Sequence, residues 1–317
     1  MTTLQTPQTP TTASRPSAPG GTTRTGKQPR LRAGQMHQTM CEGLKHGVIL
    51  LMVLFSFFPF VFMIYSSFKT QSAITNNFWS PPTTPADWGI MQNYDKAWKT
   101  VSPYVANSLI VTTANVLGVL LVATLASYAF ARFKFPGSQL FFYMIIALLM
   151  VPGILTLIAS FMWVKSLFWN DKLNLIDSYW VLILPTIAGA QVGAIFLCRG
   201  FFAALPKEMF EAARIDGAND LQVIWNIVLP LSKPILGTVA ILNILGTWND
   251  FMWPLLTTGD KSLYTVAIGL RYFQGQFATD YGPLFAGYTI ASVPLIILFV
   301  LTMRHFIEGL TSGAIKA

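Results

Sequence analysis

Residues 206–234 read PKEMFEAARIDGANDLQVIWNIVLPLSKP, a polar, punctuated run in a chain that is otherwise almost continuously apolar. Pro206 suits the first position of a helix, and Glu208 and Glu211 put negative charge near its positive end. Gly217 admits a positive φ and stops that helix. Asn219 caps a second short helix, which Pro230 and Pro234 end. The run predicts helix, glycine turn, helix, laid against a membrane face as a docking element. A plain connecting loop rarely carries this much helix punctuation.

Outward from this run, the composition makes the bilayer the solvent. Of 317 residues, 53% are hydrophobic and 11% charged, whereas soluble domains carry about a quarter charged. The net charge of +8 sits largely in the first 46 residues and beside apolar runs. The positive-inside rule accounts for it without nucleic acid, for which there is no binding motif. Uncharged runs occupy residues 47–68, 105–131, 135–164, 178–198 and 281–303, and a sixth apolar run, 234–256, holds one acid, Asp250. Each is long enough for the roughly 20 residues a spanning helix needs. An all-α membrane protein follows, with six spans at about 47–68, 106–130, 139–163, 179–201, 233–256 and 282–303. The first run lies too far from the N-terminus for a cleaved signal and reads as an anchor.

With the N-terminus inside, the inner segments hold 14 of the 21 Lys and Arg. Both termini and the 206–230 docking loop then face the cytoplasm. Residues 1–45, rich in Thr, Pro, Ser and Gly towards their start, read as a disordered cytoplasmic tail ahead of one domain, 46–317. Within the tail, residues 21–27 match a phosphate-binding loop except that Gln28 stands where Ser or Thr would hold magnesium. No strand precedes the run and Gln28-Pro29 cannot open a helix, so ATP hydrolysis is not expected of this chain. Cys41 and Cys198 have neither disulfide-framework nor zinc spacing, and His37, four residues before Cys41, makes too few ligands for a metal. No cofactor is expected.

Outside, residues 69–104, with Trp79, Trp88, Trp98 and Pro81-Pro82, predict a short irregular lid. Residues 257–282 combine Gly259, Gly269, Gly275 and Gly282 with Tyr264, Tyr272, Gln274 and Gln276. That suits contact with a polar partner or a sugar, or simple solvation. Polar side chains inside spans mark a path or a helix contact. The richest group is Asn243, Thr247, Trp248, Asn249, Asp250 and Trp253, closed by Pro254. Asn243, Thr247 and Asp250 are spaced to share a face. Amides and a carboxylate beside indoles suit sugar hydroxyls, and interhelical hydrogen bonding explains the same residues. Asn107, Asn115 and Gln191 are weaker signals. Gly189 and Gly193 would let another helix approach closely, and Pro59, Pro152, Pro185 and Pro294 would interrupt their spans.

Glu211-Ala212-Ala213, Asp216-Gly217-Ala218, Ile227, Leu229-Pro230-Leu231 and Pro234 resemble the EAA loop of membrane subunits of ATP-binding-cassette importers, in the form found in maltose-type, carbohydrate-importing permeases. The run from Leu245 to Leu255 (LGTWNDFMWPL) and the C-terminal Gly309-Leu310, Gly313-Ala314-Ile315-Lys316 are similar to further segments of that family, so the resemblance covers about residues 45–317. It implies a type I importer permease fold in a bacterial cytoplasmic membrane. It also implies a second permease subunit completing a heterodimer, a cytoplasmic ATPase dimer, and an extracytoplasmic solute-binding protein. The expected ATPase-coupling residues are Glu211, Ala212, Ala213, Asp216 and Gly217, with Glu211 pairing a basic residue of the ATPase. The expected sugar path comprises Asn243, Thr247, Trp248, Asn249 and Asp250. By the same resemblance, loop 257–282 reaches the binding protein. The rivals are a permease for a non-sugar solute, a secondary transporter, for which only Asp250 offers a buried acid, and an intramembrane protease, for which no GxSG or HExxH occurs.

Overall fold

The computed structural model describes residues 30–166, 175–275 and 279–314, and the chain divides into two units, residues 1–58 and 59–317. Residues 1–29, with the phosphate-loop-like run, lie outside the described residues, as do Gln276, Ile315 and Lys316. Helix α1 (Arg30–Ser67) begins well before the expected span, so residues 30–45 are helical. In the first unit, every residue from 42 to 58 is exposed, as side chains solvated by lipid or covered by a partner would be.

The second unit continues with α2 (Gln71–Asn76), α3 (Ile90–Arg132), α4 (Ser138–Leu148), α5 (Gly153–Ser166), α6 (Tyr179–Ala203), α7 (Lys207–Ile215) and α8 (Asp220–Val223). A π turn (Ile224–Val228), α9 (Leu229–Leu231), α10 (Lys233–Trp248), α11 (Met252–Thr257), α12 (Val266–Gly269) and α13 (Tyr281–Ala314) complete it. Among the described residues there is no strand, only two isolated bridges. The all-α expectation holds.

Helix α3 is the spine, packing along α6 and against α10 and α13. Its pattern is that of a soluble helix turned inside out. Asn107, Ser108, Thr112, Asn115, Thr124 and Ser127 are buried, while Leu109, Leu117, Leu121 and Leu125 are exposed. Small polar side chains on the inner stripe allow close helix contact and hydrogen bonding across it. A close approach to α6 lies at Gly118, where a Cβ would collide with Ile187. The sequence reading had placed such an approach at Gly189 and Gly193. Neither has any atom within 4 Å of a would-be Cβ; both line open cavities instead.

Among the described residues, four helices are long and apolar enough to cross a membrane, or up to six if each of two bent pairs counts as one span. The span expected at 139–163 is one of these, since α4 and α5 meet at 101°. Pro152 sits at that break, just before α5. Pro59, Pro185 and Pro294 lie inside continuous helices, which corrects the expectation that all four interrupt their spans. A proline removes one backbone donor, and neighbouring helices can re-satisfy the freed carbonyl. The other bent pair, Asp220–Leu231 with Lys233–Trp248, turns through 80°. Ser232, fully buried, stands at the corner. Pro230 therefore does not end the second short helix, and Pro234 falls in the first turn of α10.

The segments expected to lie outside, 69–104 and 257–282, are more ordered than expected. Residues 90–104 are the first part of α3, not an irregular lid. Lys69 is 1% exposed, and its ammonium donates to the carbonyls of Asn77 (2.6 Å), Ser80 (2.9 Å) and Phe78 (3.2 Å). Burial lowers its pKa, and the negative charge of Asp87 partly offsets that effect. The 257–282 loop is packed too: Val266, Ile268, Leu270 and Phe273 are buried. Asn107 of α3 donates to Ser262 O (2.6 Å) and Tyr264 O (3.0 Å), and accepts from Tyr179 Oη (2.6 Å). One amide thus ties this loop to two helices.

Candidate functional site

The turn in the middle of the 206–234 run, from Gly217 to Gln222, folds as its punctuation requires. Pro206 is the residue before α7 rather than its first residue, which is Lys207. At the far end Gly217 takes φ +78°. Its N–H donates to Arg214 O (3.1 Å), and the Ala218 N–H reaches back to Ala213 O (2.9 Å). This pair of bonds is a Schellman motif, which satisfies orphan carbonyls at the end of α7. Asn219 and Gln222 then form a reciprocal capping box, each side chain accepting from the other's N–H at 2.9 Å. Two caps back to back fix the angle between the arms without help from the rest of the protein.

Three turns of sequence thereby divide into an inward and an outward face. Phe210 is buried, and Ala213 and Ala218 pack beside it against Tyr128, Phe142 and Phe202. Glu211, Ala212, Asp216 and Gly217 are exposed. The two alanines, which the sequence reading treated alike, therefore differ. Ala213 is small because it seats the hairpin on its own chain, and Ala212 is small on the free side. Ile215, Leu221 and Trp225 are also exposed (86%, 70% and 71%), and Leu221 and Trp225 line an apolar cavity of about 670 Å³ together with Leu121 and Leu125 of α3. The sequence reading did not single them out. Their signal was apolar residues in a run too polar to be buried in lipid.

Within the bundle, a cavity of about 370 Å³ lies among α5, α6, α10 and α11. It is lined by Asn243, Thr247 and Asp250, as their spacing predicted, together with Thr156, Ser160 and Thr186. Asn243 also borders an adjoining cavity of about 370 Å³, lined by Gly189, Gly193 and the end of α4. The hydroxyls of Thr156 and Ser160 face this volume because α5 is a separate helix turned away from α4. Nothing in the hydropathy of 139–163 signals that. Asp250 accepts the Trp253 N–H (3.3 Å) across the break before α11. The Trp253 indole, also lining the cavity, donates to Val181 O of α6 (2.8 Å).

The other two members of that sequence group stand apart. Trp248 is buried against Ala97, Val101 and Leu284 on another side of α10. Asn249 is exposed and bonds Leu245 O (2.9 Å) at the helix end. Among the described residues no cluster of three metal-ligating side chains occurs.

Comparison with known proteins bears on both features. The family of binding-protein-dependent transport system inner membrane components matches residues 118–312, which contain the hairpin and the cavity. The probable ABC transporter permease protein YurM of Bacillus subtilis is 35% identical over 260 residues, 82% of this chain and 83% of the relative. The arabinooligosaccharides transport system permease protein AraQ of Halalkalibacterium halodurans is 32% identical over 266 residues, 82% of this chain and 91% of the relative. The sn-glycerol-3-phosphate transport system permease protein UgpE of Yersinia pestis is 32% identical over 282 residues, 84% and 95%. A crystal structure of a bacterial ABC transporter involved in the import of the acidic polysaccharide alginate superposes with a TM-score of 0.72 at 21% identity, over 89% of this chain and 100% of that one. That likeness gives the fold, and the sequence relatives give the lineage. The chain belongs to the inner membrane components of binding-protein-dependent transport systems, the permease subunits of ATP-binding-cassette importers.

Proposed function

We propose that this permease subunit passes a sugar or glycoside inward, driven by a separate ATPase that grips the 206–230 hairpin. The observation that carries the proposal is the doubly capped elbow, a locally fixed turn that leaves Glu211, Ala212, Asp216 and Gly217 exposed for a partner. Glu211 pairs a basic residue in the ATPase cleft, and the hairpin moves as one body when the ATPase dimer closes. The bundle then rocks between inward- and outward-open forms. A second permease subunit supplies the other half of the path, and a solute-binding protein delivers cargo outside. The hairpin and both termini lie in the cytoplasm. Asn243, Thr247 and Asp250, with Thr156, Ser160 and Thr186, offer the paired donors and acceptors that sugar hydroxyls need. Trp248 holds α10 in register for that face, and Asn249 ends the helix beside it. The names of relatives such as AraQ support an oligosaccharide cargo, and that of UgpE supports a phosphate ester as the second reading.

Reconstitution with the ATPase and binding protein tests this. Uptake across a panel of neutral oligosaccharides, monosaccharides and sn-glycerol-3-phosphate is expected to favour a neutral saccharide and to follow ATP, not a proton gradient. Glu211→Arg and Gly217→Pro are expected to abolish uptake while the subunit still inserts, and Asp250→Ala to lower uptake with assembly intact. Full uptake by either hairpin variant would refute the docking role.

A further inference from the structure

The hairpin is continuous in sequence with α10, yet its side chains are held elsewhere. Arg132, in the last turn of α3, extends over the Phe210 ring of α7, its guanidinium carbon 3.7 Å from the ring centroid. The same guanidinium, through Nη2, donates to Phe202 O (2.7 Å) and Leu205 O (2.9 Å) at the end of α6. Phe202 O is in the last turn of α6, where it also accepts from the Leu205 N–H (3.4 Å), and Leu205 O lies just past the helix end, where a cation is favourable. One turn earlier on α3, Tyr128 donates its hydroxyl to Asp220 Oδ1 (3.0 Å) in the first turn of α8. Residues four apart share a helix face. One face of α3 thus holds both arms of the hairpin, the first through Arg132 and the second through Tyr128.

From this geometry we infer that Arg132 and Tyr128 are positioning residues for energy coupling, carrying the hairpin's motion into α3 and α6 instead of leaving it to the covalent corner at Ser232. The corner alone is a poor lever. It lies at an 80° bend preceded by a π turn, so the hairpin and α10 are not one straight rod. A planar guanidinium suits the task because it lies over the Phe210 ring while its edge reaches the two carbonyls; an ammonium can bond several carbonyls, as Lys69 does, but has no flat face to stack. Through α3 the displacement reaches the bundle's spine, which packs on α6, α10 and α13.

This inference rests on the hairpin being the ATPase handle, so its test runs on the complete reconstituted transporter with its binding protein. The variants are Arg132→Met, Arg132→Lys, Tyr128→Phe, Phe210→Leu and Phe210→Tyr. For each, assembled complex, ATP hydrolysis and uptake are measured separately. Solute moved per ATP is expected to fall about tenfold or more in Arg132→Met, Arg132→Lys and Phe210→Leu, within the range of typical coupling effects. Hydrolysis and assembly should remain. Phe210→Tyr, which keeps a ring, should retain coupling. Tyr128→Phe should lose part of it, and combining it with Asp220→Ala should add nothing further. Unchanged solute per ATP in all variants would overturn the clamp while leaving the handle in place. Loss of assembled complex in parallel with uptake would also overturn it, by making the contacts merely structural. If no ATPase associates with the wild-type subunit, the handle falls and the clamp with it.

Discussion

Gly217 shows how a single position decides what the hairpin can present. At φ +78° it has open space where a Cβ would be, so a side chain there meets backbone strain and no collision. Gly217→Ala is expected to cost about 1–2 kcal/mol, the penalty of a left-handed L-residue, and Gly217→Asn less. Amide hydrogen exchange of residues 213–222 would read this as faster opening in Ala than in Asn. This position was legible in the sequence because helix caps are local chemistry: glycine, then asparagine, then a glutamine three residues on. Trp248 was not legible in the same way. Its indole is as fit for a sugar platform as that of Trp253, and only the packing of α10 turns it towards Ala97 and Leu284, away from the cavity.

At the scale of elements, the segment between α2 and α3 is held by charge and hydrogen bonds. Asp87 is held below the usual carboxylate value, first by the backbone N–H of Thr84 and then by the Thr84 side chain, with Thr83 adding to the effect. A carboxyl with a lowered folded pKa stabilises above its ordinary value of 3.8, and that stabilisation is lost as pH falls through the folded value. Exchange protection of residues 83–88 is therefore expected to stay level down to about pH 4 and then to drop. Asp87→Asn should show the reduced level throughout. A flat profile in the wild type would remove the carboxylate from the account. The sequence suggested a lid here but not its order, because Lys69 binds carbonyls of residues 77–80, a pairing that no composition reveals. The α4–α5 break was equally hidden. Residues 139–163 stay apolar through the 101° turn, and in sequence Pro152 is no different from the three prolines that lie inside continuous helices.

At the scale of the whole molecule, the spans and the docking loop were visible because lipid imposes length and low charge on whatever crosses it. The helix-by-helix contacts were not, because an inside-out helix such as α3 reads as uniformly apolar with scattered polar residues. Only the bundle shows that those residues turn inward, where Asn107, Ser108, Asn115 and Ser127 bond main-chain groups of neighbouring segments. The buried Lys69 amine has a use on this scale. Lys99 keeps 72% of its side chain exposed and Lys96 keeps 53%, so a water-soluble acylating reagent should tag both readily. Lys69, sealed beneath three carbonyls, should stay untagged while the outer face is closed over it. Its appearance among the tagged peptides during turnover would register the moment that face loosens, giving a clock for the cycle written into the chain without any added probe.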